Sequence, residues 1–224
     1  MGNVHGYTHE QAGHGKLDTL LSNMVENYRE RLAKMLRKES LSFGEHRLSA
    51  GQMSGYYFDC KLTTLNAEGA LLTGHCFLEK LREMGIKPDA IGGMTMGADP
   101  IVSATIVVSN LPPHKEPLPG FLIRKEPKEH GKKKKIEGFN VSGRQVVVID
   151  EVCTTGKSIF EAIEAVKEEN GHVIGIISLL DREEGGSDDL RKRRYNYHSI
   201  FTARELMDGE IASPEESQKV SHGR

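Results

Sequence analysis

The feature that most constrains the fold is a short apolar run that stops abruptly at two acids. Residues 146–149 are too few for a helix but suit a strand buried on both faces. Asp150 and Glu151 follow, then a Thr-Thr-Gly-Lys-Ser turn at 154–158 and helical spacing over 159–169. Such strand–turn–helix junctions favour phosphate or sugar ligands, because backbone N–H groups and the positive end of the helix dipole face the turn. The alternative is an ordinary buried strand that ends in a polar turn.

The two acids indicate which ligand this junction suits. A nucleotide-kinase loop ending in Gly156-Lys157-Ser158 requires a glycine at position 151, where this chain has Glu. Two carboxylates would also repel a bare polyphosphate. Carboxylates accept hydrogen bonds from the neighbouring hydroxyls of a sugar, while the turn amides hold a monophosphate. The pattern therefore predicts a sugar-phosphate site.

Strands alternate with helices over residues 89–202, which predicts an α/β fold with a parallel sheet. Strands are predicted at 89–94, 120–124, 145–150, 172–180 and 197–202, and helices at 17–39, 66–85, 98–109 and 159–169. In the second helix, Leu71, Phe77, Leu78 and Leu81 are expected to face inward. We divide the chain into a flexible leader (1–16), an N-terminal helix and hood (17–65), an α/β core (66–212) and a flexible tail (213–224).

Polar or charged residues follow four of the predicted strands, at 95–99, 124–125, 150–151 and 181–182. In parallel sheets, ligands collect at the carboxyl ends of the strands, so these residues are expected to share one site. Arg124 and Lys125 lead into a loop that carries Lys128, His130 and four lysines at 132–135. Such cationic density suits a diphosphate, and a loop can close over its ligand. The lysines at 132–135 are interpreted as a solvated charge run.

These motifs resemble those of a known family. Arg-Lys-x-x-Lys-x-His-Gly at 124–131 resembles the catalytic loop of the orotate phosphoribosyltransferases. The acids and turn at 150–158 resemble the loop of type I phosphoribosyltransferases that binds 5-phosphoribosyl-1-diphosphate (PRPP). The resemblance runs from about residue 17 to 212 and includes the hood motif 56–59, the turn 93–97 and residues 180–183. It implies a type I phosphoribosyltransferase core with helices on both faces and a small N-terminal hood.

The resemblance also implies the reaction and its residues. Orotate and PRPP would give orotidine 5′-monophosphate and diphosphate, with Lys128, His130 and Asp150 as catalytic residues. Phe58, Thr154 and Arg182 would contact the base. The residues implied for PRPP are Thr95, Met96, Gly97, Arg124, Lys125, Asp150, Glu151, Val152, Cys153, Thr154, Thr155, Gly156, Lys157 and Ser158. Cys153 is interpreted as a small filler in the turn, without a nucleophilic role.

The resemblance further implies Mg²⁺ held mainly by the oxygens of PRPP, and a homodimer in which the closing loop reaches the neighbouring subunit's site. The net charge of −2 gives no general case for nucleic-acid binding, and no apolar run approaches membrane-spanning length. Three scattered cysteines fit a reducing cytoplasm better than a disulfide framework. We therefore expect a cytoplasmic enzyme that binds neither nucleic acid nor membranes.

Three positions depart from the family pattern. Ser49 and Gln52 stand where orotate enzymes commonly carry Lys and Arg, and Glu151 replaces the second Asp of the usual acid pair. A phosphoribosyltransferase acting on another base, and a PRPP-binding regulatory protein without turnover, are the alternatives. Lys125, Lys128 and His130 argue against the regulatory protein, because a sensor has no evident need for a closing cationic loop.

Overall fold

The computed structural model describes residues 28–47, 53–126 and 135–208, and a six-stranded sheet with helices on both faces organises them. The strands are β1 (Leu41–Arg47), β2 (Met53–Phe58), β3 (Ala90–Met94), β4 (Gly120–Ile123), β5 (Ile136–Gly138), β6 (Gln145–Cys153), β7 (His172–Asp181) and β8 (Tyr197–Thr202). The helices are α1 (28–35, continuing into a π-helical turn at Leu36–Ser40), α2 (Lys61–Thr64), α3 (Ala67–Glu83), α4 (Ala98–Ser109), α5 (Lys157–Glu168), α6 (Gly186–Lys192) and α7 (Ala203–Asp208).

The strand order of the main sheet is β5-β4-β3-β6-β7-β8. All neighbouring pairs are parallel except β4 and β5, which pair antiparallel. The predicted α/β class and largely parallel sheet are therefore confirmed. No strand was predicted between residues 124 and 145, whereas the structure has β5 there: Ile136 pairs with Ile123 and is 8% exposed.

Strand β6 is buried on both faces, as its apolar run predicts. Val147 and Ile149 join one hydrophobic cluster, which also contains residues of α1, α3 and α4. Val146 and Val148 join a second cluster, which contains the inner face of α5. Successive side chains of a strand point to opposite faces, so this alternation places a helical layer on each side of the sheet.

Strand β6 is longer than its predicted extent of 145–150. It runs to Cys153, because Val152 and Cys153 remain paired with Leu180 and Asp181 of β7. The two acids therefore lie within the end of a central strand. The structure also reverses the expected orientation of Leu71 in α3, which is 44% exposed, whereas the adjacent Leu72 is buried.

The N-terminal strands form a separate two-stranded sheet, which contacts Arg182 after β7 through Ser54. Strands β1 and β2 pair antiparallel and form the predicted hood, and the connection at 48–52 lies outside the described residues. The part of the predicted first helix at 17–27, the leader and the tail also lie outside them. Within the described ranges, no helix has the length and apolar character needed to cross a bilayer.

A buried pair of histidines lies between α3 and the loop that precedes β4. His75 Nδ1 and His114 Nε2 are 3.0 Å apart, and Tyr28 stacks on His75 with ring centroids 4.1 Å apart. Glu79 lies 3.9 Å from His114 Nδ1 and also accepts hydrogen bonds from Arg82. Burial, with repulsion from His75, lowers the pKa of His114 to about 4. This pair is therefore neutral at pH 7.

We expect His114 to make the folded protein sensitive to acid. Because its folded pKa lies below the unfolded value of 6.5, its stabilising contribution is present above pH 6.5 and is lost as the pH falls towards 4. His114→Gln should reduce this loss by about 1–2 kcal/mol, because solvent screens this half-buried residue. Denaturant unfolding of both proteins between pH 7 and 4.5 measures the difference, with His172→Gln at an exposed histidine as the control. Identical pH dependence in wild type and His114→Gln would contradict the prediction.

Candidate functional site

The acids at the end of β6 form the centre of the candidate site. Asp150 accepts a hydrogen bond from Ser158 Oγ at 2.5 Å and another from the Glu151 backbone N–H at 2.9 Å. Burial raises the pKa of Asp150 to about 6, although the hydrogen bond from Ser158 opposes this effect. Burial also raises the pKa of Glu151, against the opposing effect of Lys61. The strand thus holds two acids where their charges are costly unless a ligand or a cation accompanies them.

Lys61 supplies such a cation. Its Nζ forms an ion pair with Glu151 Oε2, although the two residues are 90 positions apart in the sequence. Burial lowers the pKa of Lys61, but the hydrogen bond and charge of Glu151 outweigh that effect, so its pKa is raised overall. Sequence reasoning missed Lys61, because nothing in its local pattern connects it with β6.

The turn after β6 has the form expected of a phosphate-binding loop. Gly156 has a φ of +75°, a left-handed conformation that favours glycine. It is the N-cap of α5 and provides no side chain to bond the first helical N–H groups, which stay available to an anion. Thr155 and Lys157 are exposed, and Thr154 and Ser158 are half-buried.

Gly186, the first residue of α6, supports this turn from behind. Its N–H donates to the Thr154 carbonyl at 3.0 Å. A Cβ atom at Gly186 would lie 2.5 Å from the Gly156 nitrogen and 2.6 Å from both the Thr154 oxygen and the Thr155 carbonyl carbon. All three are backbone atoms, so the turn would have to move. Sequence reasoning also missed this packing role, which depends on how α6 folds back against the turn.

The turn after β3 lies against the two acids. A Cβ atom added to Gly97 would be 3.3 Å from Glu151 Oε2 and 3.8 Å from Asp150 Oδ1. The backbone N–H of Thr95 donates to the Ile123 carbonyl at 2.9 Å, which links the turn to the end of β4. The Thr95–Met96 peptide bond is cis, and the Met96 side chain is 71% exposed. The structure therefore brings the predicted diphosphate turn to the acid pair.

Arg124 and Lys125 follow β4 at the same edge of the sheet. The Arg124 backbone N–H donates to the Lys135 carbonyl at 2.9 Å, and its Nη1 lies 3.7 Å from Glu137 Oε1. Lys125 is exposed. The predicted catalytic residues Lys128 and His130 lie outside the described residues. Cys153 is fully buried beside Tyr197, and burial raises the pKa of its thiol to about 12, which matches its interpretation as a filler.

Arg182 connects the end of β7 with the hood. It is 5% exposed, its Nε donates to Glu184 at 2.9 Å, and its Nη2 donates to Ser54 Oγ at 3.0 Å. Its guanidinium carbon lies 4.4 Å from the centre of the Tyr56 ring. Neither of these hydrogen bonds uses Nη1, and a guanidinium suits a planar, anionic ligand.

The hood presents a face that the sequence only partly predicted. Phe58 is 4% exposed and packs into the core, with its ring 5.9 Å from that of Tyr56. Ser54 and Tyr56 contact Arg182. These three hood residues alternate along β2 and so share one face, and this period of two was a signal for Ser54 and Tyr56 that sequence reasoning did not use.

Comparison with known proteins gives a consistent result. The family model described as "Phosphoribosyl transferase domain" matches residues 64–204. The chain is 41% identical over 182 residues to an orotate phosphoribosyltransferase of Aquifex aeolicus, covering 80% of this chain and 97% of that protein.

Solved structures agree with that match. The fold is similar to that of Mycobacterium tuberculosis H37Rv orotate phosphoribosyltransferase, with a TM-score of 0.70, 31% identity, and coverage of 80% of this chain and 98% of that one. A structure of the same mycobacterial enzyme in complex with PRPP is similar at a TM-score of 0.66 and 29% identity, covering 80% of this chain and 99% of that chain.

Proposed function

The chain belongs to the phosphoribosyltransferase family, in its orotate branch, and on that premise we propose that it transfers the 5-phosphoribosyl group of PRPP to orotate. The products are orotidine 5′-monophosphate and diphosphate, so the enzyme acts in pyrimidine biosynthesis. The observation that carries the proposal is the 41% identity to the Aquifex enzyme over nearly its whole length. The buried acids and the phosphate-type turn at the end of β6 support it chemically.

The donor occupies the carboxyl ends of β3, β4 and β6. Asp150 and Glu151 accept hydrogen bonds from the ribose hydroxyls, and the turn at 154–158, with the adjoining backbone of Val152 and Cys153, holds the 5-phosphate. Residues 95–97, together with Arg124 and Lys125, bind the diphosphate. Support comes from the closeness of Gly97 to the acids and from the first turn of α5, which has no side-chain cap.

The acceptor base lies between the hood and the end of β7. Arg182 donates to an anionic or carbonyl oxygen of the pyrimidine, and Thr154 borders the ring. Phe58 packs against Tyr56 from the core side and supports it. Tyr56 and Ser54 fix the guanidinium from the hood side. A planar carboxylated ring suits this arrangement, because arginine recognises flat anions through directed N–H groups.

Catalysis consists mainly of positioning and charge stabilisation. Positive charge develops on the ribose as the bond to diphosphate breaks, and the buried carboxylates lie where they stabilise it. Lys125, Lys128 and His130 stabilise the negative charge that grows on the leaving diphosphate. Mg²⁺, when bound to PRPP, neutralises part of that charge, and the carboxylate oxygens of Asp150 and Glu151 are hard donors compatible with such an ion nearby.

The assembly that fits this chemistry is a homodimer in the cytoplasm, with no nucleic-acid or membrane partner. Helices α2 and α4 contact each other and expose large apolar side chains: Leu62 on α2, Leu65 directly after it, and Val107 on α4. An exposed apolar surface on neighbouring helices suits a subunit contact. Lys128 and His130 would then act in the partner subunit's site.

A mixing experiment tests the shared site. Lys128→Ala and Asp150→Asn proteins, each of low activity alone, are unfolded together, refolded and assayed. Mixed dimers contain one site with both residues intact, so activity should recover well above that of either parent. Separately refolded parents, combined just before the assay, are the control. No recovery in proteins that are dimeric by sedimentation would contradict sharing between subunits.

The activity itself is tested with purified protein, PRPP, Mg²⁺ and orotate, by following the loss of orotate absorbance. We expect turnover that requires PRPP and releases diphosphate. Uracil, adenine and hypoxanthine in place of orotate are the controls for the base. Turnover with another base but none with orotate, or PRPP binding without turnover of any base, would overturn the proposal.

A further inference from the structure

The ion pair between Lys61 and Glu151 leaves half of the Glu151 carboxylate available. Lys61 bonds Oε2, whereas Oε1 is buried and has no hydrogen-bond partner within the described ranges. A buried carboxylate oxygen without a donor is costly. An arriving ligand hydroxyl would relieve that cost, so the unpartnered oxygen marks a place where a donor is expected.

The backbone around Lys61 is anchored by hydrogen bonds and burial. Lys61 is the first residue of α2, and two residues separate it from the hood strand β2. Its backbone N–H lies 3.3 Å from Asp59 Oδ1, and two residues later Thr63 is fully buried and shares a 2.7 Å hydrogen bond with Ser40. The ammonium group is thus carried by backbone anchored on both sides.

The positive charge of Lys61 also reduces electrostatic repulsion between the two acids and a bound diphosphate. Two adjacent buried carboxylates would repel the phosphates of the donor, and one nearby ammonium group offsets one of these negative charges. Glu151 is also longer than aspartate and has one more rotatable bond. A bond to one of its oxygens fixes the other, which lowers the entropy lost when a hydroxyl binds.

We propose that Lys61 is a positioning residue for the ribose site, which holds Glu151 through one oxygen so that the other accepts a ribose hydroxyl. The role rests on the proposed function, since it presumes that PRPP binds at the acids. It also connects the two substrates, because Lys61 follows the hood strand whose residues contact Arg182.

The test compares Lys61→Met with wild type in PRPP binding and in turnover. Methionine keeps much of the apolar length but removes the charge. We expect the KM for PRPP to rise roughly ten-fold, with a much smaller change in the KM for orotate, because a charge-assisted hydrogen bond is lost at the donor site. Lys61→Arg should restore most of the affinity. Lys87→Met, which removes an exposed ion-paired lysine, is the matched control.

A double-variant cycle separates positioning from general stability. If Lys61 acts through Glu151, Lys61→Met combined with Glu151→Gln should be no worse than Glu151→Gln alone. Fully additive losses, or equal rises in both KM values with a lowered melting temperature, would overturn the proposal. Calorimetric titration with PRPP alone measures donor affinity independently of the base, and unchanged PRPP affinity in Lys61→Met would refute the role of Lys61. Failure of the proposed function is a different result: wild-type protein that binds PRPP in the titration but shows no turnover of orotate in the assay.

Discussion

Replacing Asp150 with asparagine is expected to lower kcat by on the order of a hundred-fold or more while the protein remains folded. The amide can keep both local hydrogen bonds, since its oxygen can accept from the Glu151 N–H and its NH₂ group can donate to Ser158. The substitution removes a buried negative charge beside the proposed ribose site, where positive charge would develop during transfer. Steady-state rates at saturating PRPP and orotate measure the loss.

The same substitution should leave stability unchanged or raise it. The folded pKa of Asp150 is about 6, above the ordinary value of 3.8, so ionisation destabilises the folded state above pH 6 and the cost disappears as the pH falls towards 3.8. Asparagine removes this cost, which amounts to about 3 kcal/mol at most. Because His114 acts in the opposite direction over a similar pH range, each contribution is measured as a difference between wild type and variant.

Asp188→Asn is the matched control for this prediction. Asp188 lies in the first turn of α6 with its side chain 69% exposed. Its substitution therefore removes a carboxylate without changing a residue of the candidate site. We expect that control to keep nearly full activity. An Asp150→Asn enzyme with kcat close to that of wild type would exclude Asp150 from charge stabilisation, whatever its effect on melting temperature.

Local sequence patterns predicted many of the helices and strands. Strand β8 and helix α4 have the bounds that the sequence predicts, because their apolar spacing and flanking turns lie within the elements themselves. Asn66 was correctly predicted to start α3, where its side chain accepts from the N–H groups of Glu68 and Gly69. Strand β5 was missed because its three residues are held mainly by pairing with β4, which no local period reveals.

The candidate site also contains residues that the local sequence predicted and residues that only the folded structure revealed. The acids and the glycine turn are contiguous, so their spacing alone suggested a sugar phosphate. Lys61 and Gly186 act through contacts that only the folded chain creates. Lys61 lies 90 positions from Glu151, and Gly186 joins the start of α6 to the turn at 154–156. Arg182 was expected at the base, but its support by Ser54 and Tyr56 required the position of the hood over the sheet.

Substituting alanine for Gly186 is expected to lower kcat/KM for PRPP by about a hundred-fold, although Gly186 need not touch any substrate. The new methyl group would lie within 2.6 Å of backbone atoms of Thr154, Thr155 and Gly156, so the phosphate turn must shift. A displacement of about 1 Å at a substrate-positioning loop is enough for a loss of that size. Initial rates at varied PRPP, with orotate saturating, measure the effect.

Gly55→Ala in the hood is the control that separates the clash at Gly186 from the general effect of replacing a glycine. A Cβ atom at Gly55 would meet no atom of the described residues within 4 Å, so this control removes a glycine without creating a clash among them. In Gly186→Ala, the KM for orotate should change less than the KM for PRPP, because Arg182 precedes the displaced segment and keeps its contacts with the hood. A variant that binds PRPP as tightly as wild type would show that the turn tolerates the methyl group, and the 5-phosphate would then have to be held by atoms other than the backbone of 154–156.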